Sequence, residues 1–237
     1  MNEFMYSDIF DTKGIEYIIV IGFLMLIIPF WIMLNRPLKL ETKVSEALGV
    51  LTAQILRIPQ GLFFNKNHTW THLEKSGLAR IGMDDLLLHL TGGVELKYLK
   101  DQQERVKKGE PIARIIQDGK NLVITSPISG EIERVHTSLE HNSGAISEDP
   151  YGSWLVKIKP ENWREETDEC FLADEASGWA EKELHRFKDF MTEVVNQNSG
   201  SHAVVMQEGG ELIDHPLKEM SQEVWTGFQE KFLLGEG

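Results

Sequence analysis

The chain has 237 residues, room for one ordinary domain with attachments or for two small ones, and its hydrophobic fraction of 41% includes one run that is nearly all apolar. The formal net charge is −13, and residues 161–237 carry 18 Asp and Glu against 6 Lys and Arg, so almost all of the excess lies at the C-terminal end. An acidic surface repels phosphate backbones, which excludes nucleic acid as a partner. The single cysteine, Cys170, excludes an internal disulfide and a Cys-pair zinc site.

Residues 1–14 form a short N-terminal segment. Residues 15–34, "IEYIIVIGFLMLIIPFWIML", follow with one charged side chain, Glu16, at the edge. About 20 apolar residues at a 1.5 Å rise cross the ~30 Å hydrocarbon core of a bilayer. Tyr17 and Trp31 fall where interfacial aromatics belong, and a helix in a membrane tolerates Pro29. A cleaved signal peptide would have a basic start, a shorter apolar core and a small-x-small cleavage site. Here Glu3, Asp8 and Asp11 precede the run and "FWIMLNRP" ends it, so an uncleaved transmembrane helix is predicted. Only Lys13 lies before it, against Arg36, Lys39 and Lys43 after it. The positive-inside rule therefore puts the bulk of the chain on the cytoplasmic side of a cytoplasmic membrane.

In residues 35–60, Val44, Leu48, Leu51 and Ile55 recur at helical spacing, which predicts an amphipathic linker helix ended by Pro59 and Gly61. Residues 61–160 change pattern. Short alternating runs ("GLARIGM", "GVELKYL", "PIARIIQ", "NLVITSP", "GEIERVH", "SWLVKIK") are separated by Gly, Asp, Asn and Pro, as in a compact β sandwich or barrel. "MDDLLLHL" interrupts them as a short helix with Asp84 and Asp85 in its first turn, where the helix dipole favours them. Residues 161–237 read as an acidic helical extension. One amphipathic helix sets Trp179, Leu184, Phe187, Phe190, Met191 and Val194 mostly on one face, a hairpin turns at Gly209-Gly210, and "HPLKEMSQEVWTGFQEKFL" forms a last helix. These helices are expected to pack on the β domain or on each other; docking of a partner is their other use.

Four blocks in order carry a family resemblance: "IPQGLFFNKNHTW", "LARIGMDDLLLHLTGGVELKYL", "SPISGEIERVHTSLE" and "SEDPYGSWLVKIKP". Together they resemble the H protein of the glycine cleavage system, a lipoyl-carrying shuttle. The resemblance implies a mainly β, lipoyl/biotinyl-like (hammerhead) sandwich or barrel, with the predicted transmembrane helix before it and the helical extension after it. It also implies a lysine at a hairpin tip, between the turn at Gly109 to Pro111 and the turn at Pro127 to Gly130.

In that family's carriers the acceptor usually falls ten residues after the glycine of the first turn and eight before the proline of the second. Both counts, from Gly109 and from Pro127, reach Gly119; Lys120 is one residue further on. Asp118-Gly119 suits a two-residue type I′ turn, so Lys120 begins the returning strand, and a one-residue slip reverses side-chain facing. The position three before the acceptor, often acidic, holds Ile116. Two uses of this hairpin remain: one without cargo, and one lipoylated at Lys120. Lys97, Lys107 and Lys108 have less claim than Lys120.

No other cluster converges on chemistry. His68 and His72, four apart, would share one side of a strand, but no third metal ligand accompanies them. His136 and His141 flank a loop, Asp84 and Asp85 fit a helix start, and Cys170 sits among acids that discourage thiolate chemistry. No phosphate loop, nucleophile elbow or metalloprotease motif occurs. The sequence thus predicts a non-catalytic, membrane-anchored, H-protein-like module without lipoate, binding partner proteins at the cytoplasmic membrane face. The alternative is a lipoyl shuttle modified at Lys120 that serves partner enzymes. A soluble glycine cleavage pathway needs no anchor, so a membrane redox or transport assembly is the expected partner.

Overall fold

The computed structural model describes residues 9–34, 51–197 and 212–234. The chain divides into two compact units, Met1–Lys43 and Val44–Gly237. The first contains helix α1, Ile9–Leu34, with Pro29 inside it. The helix starts six residues before the apolar run, at Ile9 instead of Ile15. Its side chains are described for residues 17–31, and every large apolar one among them is exposed. That described stretch is only about 22 Å long at 1.5 Å per residue. Among the described residues, no helix is long and apolar enough to cross a membrane.

Most of the predicted linker helix lies outside the described residues. Its described end is not α-helical: it holds only the 3₁₀ turn Ala53–Ile55. Tertiary bonds decide this stretch. Leu51 is fully buried and its N–H donates to the Leu212 carbonyl, while the Arg57 N–H donates to Asp85.

Among its described residues, the second unit holds nine antiparallel strands: β1 Phe63–Asn65, β2 Thr69–Leu73, β3 Ala79–Met83, β4 Glu95–Tyr98, β5 Arg105–Val106, β6 Pro111–Gln117, β7 Lys120–Thr125, β8 Gly130–Val135 and β9 Val156–Pro160. They form a six-stranded sheet, β1-β2-β3-β9-β8-β5, and a three-stranded sheet, β4-β6-β7. The expected alternation is present: Leu96, Ile115, Leu122 and Ile124 face a shared core, while Lys97, Arg114, Ile116 and Val123 face outward and are less buried. Between β3 and β4, helix α2, Asp85–Thr91, is capped by Asp84, whose carboxylate accepts from the Leu87 N–H at 2.7 Å. Leu86, Leu87, Leu88 and Leu90 bury this helix almost all round.

Short helices α3 Ser138–His141 and α4 Gly144–Glu148 lie before β9, and α5 Trp163–Thr167 follows it. Helix α6, Ala173–Gln197, buries Leu184, Phe187, Phe190 and Met191 in the same core as the strands. The predicted apolar face is therefore used internally, with Trp179 and Val194 at its half-buried margin. The Gly209-Gly210 hairpin lies outside the described residues. The last helix, α7 Gln222–Phe228, continues into a π-helical turn, Gln229–Leu233. Phe187, Phe190, Phe228 and Phe232 interlock there, with Phe228 and Phe232 stacked at 4.8 Å.

Candidate functional site

The hairpin β6–β7 has the expected tip. Asp118 (φ 49°) and Gly119 (φ 81°) both adopt the left-handed conformation that a type I′ turn needs, and Gln117 pairs with Lys120 across it. The flanking turns clasp each other: the Gly109 N–H donates to the Ser126 carbonyl and the Ser126 N–H to the Glu110 carbonyl. Gly119 thus occupies the turn itself, and Lys120 is the first residue of the returning strand.

Lys120 does not swing free. Its Nζ donates to the carbonyls of Lys218 (2.5 Å) and Met220 (3.2 Å) and lies 5.2 Å from the centre of the Trp225 ring. Trp225 is fully buried, with its indole N–H on the Leu217 carbonyl at 2.7 Å. Three residues further along β7, Gln229 clasps the open edge of the three-stranded sheet. The Val123 N–H donates to Gln229 Oε1 at 2.5 Å, and Gln229 Nε2 donates to the Val123 carbonyl at 3.1 Å. The segment from 217 to 233 thus covers both the lysine and the β7 edge, which would otherwise expose unpaired backbone groups.

A lipoyl amide does not fit Lys120 as it is placed. An amide nitrogen keeps one N–H and no charge, so acylation would remove at least one of the two carbonyl bonds and the cation–π contact. Lys97 and Lys107 are exposed away from the tip, and Lys108 reaches the Glu166 carbonyl and the Glu169 carboxylate.

The predicted His68–His72 pairing on one strand is corrected by the backbone. His68 precedes β2 with φ 58°, which breaks the even-spacing argument. It is fully buried, whereas His72 is only half-buried, with Nδ1 3.1 Å from the Gly61 carbonyl. His68 instead bridges three elements. Its Nδ1 is 2.8 Å from Asp84 Oδ2, and its Nε2 is 3.6 Å from Glu183 Oε1 on α6. Burial alone would lower the imidazole pKa, but the Asp84 and Glu183 carboxylates outweigh it and push it up to about 9. The imidazolium thus ties the extension to the β domain. Burial works against the Glu183 carboxylate, yet His68 and Arg186 hold its pKa below the usual range.

A second bridge lies at the other end of α2. His89 sits between Asp214 (Nδ1–Oδ1 2.8 Å) and Asp85 (Nε2–Oδ2 3.5 Å). Here too burial is outweighed by the two carboxylates, and the pKa rises to about 9. Asp84 and Asp85 therefore do more than start a helix. Asp84 also holds His68, and Asp85 joins His89 to the Arg57 guanidinium at 2.9 Å. Burial opposes ionisation of Asp85, but His89 and Arg57 keep its pKa low.

His136 stacks on Trp154 at 4.5 Å with Nδ1 on the Trp154 carbonyl, and His141 is exposed. Among the described residues, no three His, Cys, Asp or Glu side chains are grouped to hold a metal. Cys170 is buried, and burial pushes its thiol pKa up more than its neighbours do.

A family model described as Glycine cleavage H-protein matches residues 62–183, just over half of the chain. The chain belongs to the glycine cleavage H-protein family. This is a family of lipoyl carriers, not of enzymes in their own right. A probable glycine cleavage system H protein of Pyrococcus abyssi is 31% identical over 118 residues, covering 50% of this chain and 88% of that protein. The corresponding protein of Picrophilus torridus is 36% identical over 107 residues, 45% of this chain and 85% of its own. A crystal structure of a glycine cleavage system H protein from Mycobacterium marinum matches over 98% of its length and 52% of this chain, at 23% identity and a TM-score of 0.46. The H-protein match ends at Glu183, so α1, most of α6 and the segment that covers Lys120 all lie outside it.

No local sequence signal marks this cover. The amphipathic pattern of the last helix was visible, but nothing in it names the hairpin as its destination. Trp225 and Gln229 act across about a hundred residues of chain, where no local periodicity reports a contact.

Proposed function

We propose that this chain is an H-protein-like module that works without a lipoyl group, anchored by residues 15–34 at the cytoplasmic face of a membrane, where it binds partner proteins as an assembly subunit. The observation that carries the reading is the hairpin tip. Glycine stands at the acceptor register in a left-handed turn, and the neighbouring lysine is bonded to the chain's own C-terminal segment. An H protein that shuttles intermediates needs a mobile arm at this place, because its cofactor supplies the chemistry and partner enzymes the catalysis.

Anchoring is supported by the continuous exposure of apolar side chains from Tyr17 to Trp31 on a 26-residue helix, and by Arg36, Lys39 and Lys43 just beyond it. The relatives named above are glycine cleavage proteins, whereas an anchor suits a membrane-bound assembly such as a redox or transport complex. Extraction from native membranes in mild detergent tests the reading. The chain should migrate with partner proteins and remain in the membrane fraction after a high-salt wash. A chain that is released by salt, or comes out alone and lipoylated, sinks it.

A further inference from the structure

We propose that the segment from 217 to 233 is an internal cap that keeps Lys120 closed to acylation, with Lys120 itself serving as the cap's anchor. The inference rests on the reading of the hairpin as a tip without cargo, and adds what keeps it so. Three contacts carry it. Lys120 Nζ holds the Lys218 and Met220 carbonyls just before α7, Trp225 lies against the ammonium, and Gln229 occupies both backbone groups of Val123 on the same strand. The cap lies wholly beyond the family match, so it is an addition to the H-protein domain.

Its consequence is chemical. Acylation of an amine needs an activated acyl donor, such as an acyl adenylate, a thioester or an N-hydroxysuccinimide ester. The ammonium first gives one proton to water; the freed Nζ lone pair then forms the new C–N bond, the bond to the leaving group breaks and takes its electrons with it, and a second proton goes from nitrogen to water. Before that can happen Nζ must leave both carbonyls and come out from beside Trp225, where the side chain is held half-buried. Reaction then proceeds only through local opening. The cap is also tied to the C-terminal end of α2, where the Leu217 N–H donates to the Leu90 carbonyl at 3.0 Å.

The test is competitive acetylation of the full chain, produced without lipoate and held in detergent, with an N-hydroxysuccinimide acetate and peptide mass spectrometry. Lys97 and Lys107, both exposed, are references within the same molecule. Lys120 should react at least about tenfold more slowly than Lys97, as expected for a group that reacts through opening. Trp225→Ala, and separately Gln229→Ala, should bring Lys120 toward the rate of Lys97 and leave Lys97 and Lys107 unchanged. If Trp225→Ala unfolds, seen as alkylation of Cys170, Gln229→Ala decides. Equal rates at Lys120 and Lys97 in the parent chain overturn the cap, and so does a slow Lys120 that Gln229→Ala does not accelerate. A lipoyl group on Lys120 of native-source protein would instead remove the cargo-free reading. The labelling rates of the unmodified chain would still decide the cap separately.

Discussion

Raising the pH from 6.5 to 9 should weaken the folded unit, because His68 needs its proton to hold Asp84 and Glu183 together. The group is fully buried between those carboxylates, at 2.8 and 3.6 Å. Burial lowers its pKa, but the carboxylates raise the folded-state value to about 9, against 6.5 for an unperturbed imidazole. A raised pKa means that the folded state binds the proton more tightly than the unfolded chain does. The stabilisation is therefore complete below pH 6.5 and is lost as the pH rises through about 9. At ~1.4 kcal/mol per pH unit the span corresponds to about 3 kcal/mol. His89 has the same sign and also reaches about 9, but with a fifth of its side chain exposed it adds less. Urea unfolding of the full chain in nonionic detergent, followed by the fluorescence of buried Trp70 and Trp225, measures the effect. Stability should fall by roughly 3 kcal/mol or more across this range. In Glu183→Gln the steep part of the decline should move to lower pH, since one of the two carboxylates that raise His68 is gone. A parent chain whose stability stays level or rises between pH 6.5 and 9 would refute the imidazolium bridge.

Three further outcomes follow from local geometry. Gly82→Ala would place a Cβ 2.5 Å from Cζ2 of the fully buried Trp70, whose indole N–H is fixed on the Pro150 carbonyl; overpacking of this kind should cost about 1–3 kcal/mol in the same unfolding assay. Gln229→Ala removes both bonds to Val123, so the Val123 amide should exchange with deuterium faster and stability should drop by about 1–3 kcal/mol, while β2–β3 amides keep their protection. Cys170, buried and with its thiol pushed up by burial, should resist iodoacetamide at pH 8 until urea unfolds the chain; rapid alkylation of the folded protein would contradict its placement.

What was legible in the sequence was what short-range chemistry encodes. Period-2 alternation marks β6, β7 and β8, because each has one face on the core. Asp118-Gly119 marks its own turn, because few residues accept positive φ twice in succession. Asp84 and the following leucines mark α2, and the Leu184, Phe187, Phe190 and Met191 spacing marks the buried face of α6. Spacing failed where a single backbone angle departed from the regular element. His68 at φ 58° leaves the strand that would have aligned it with His72. It failed also where tertiary bonds override helical propensity, as at Leu51 and Arg57. The site was half legible. The glycine at the acceptor register could be counted, but its cover could not, because Lys120 meets Lys218, Met220 and Trp225 only after the whole core has formed.

On the proposed reading this hairpin carries no cargo. The mass of the Lys120-containing peptide, from protein isolated from its native source grown with ample lipoate, tests it most directly. The unmodified mass is expected in essentially every molecule. A lipoyl-sized increment located on Lys120 would contradict it.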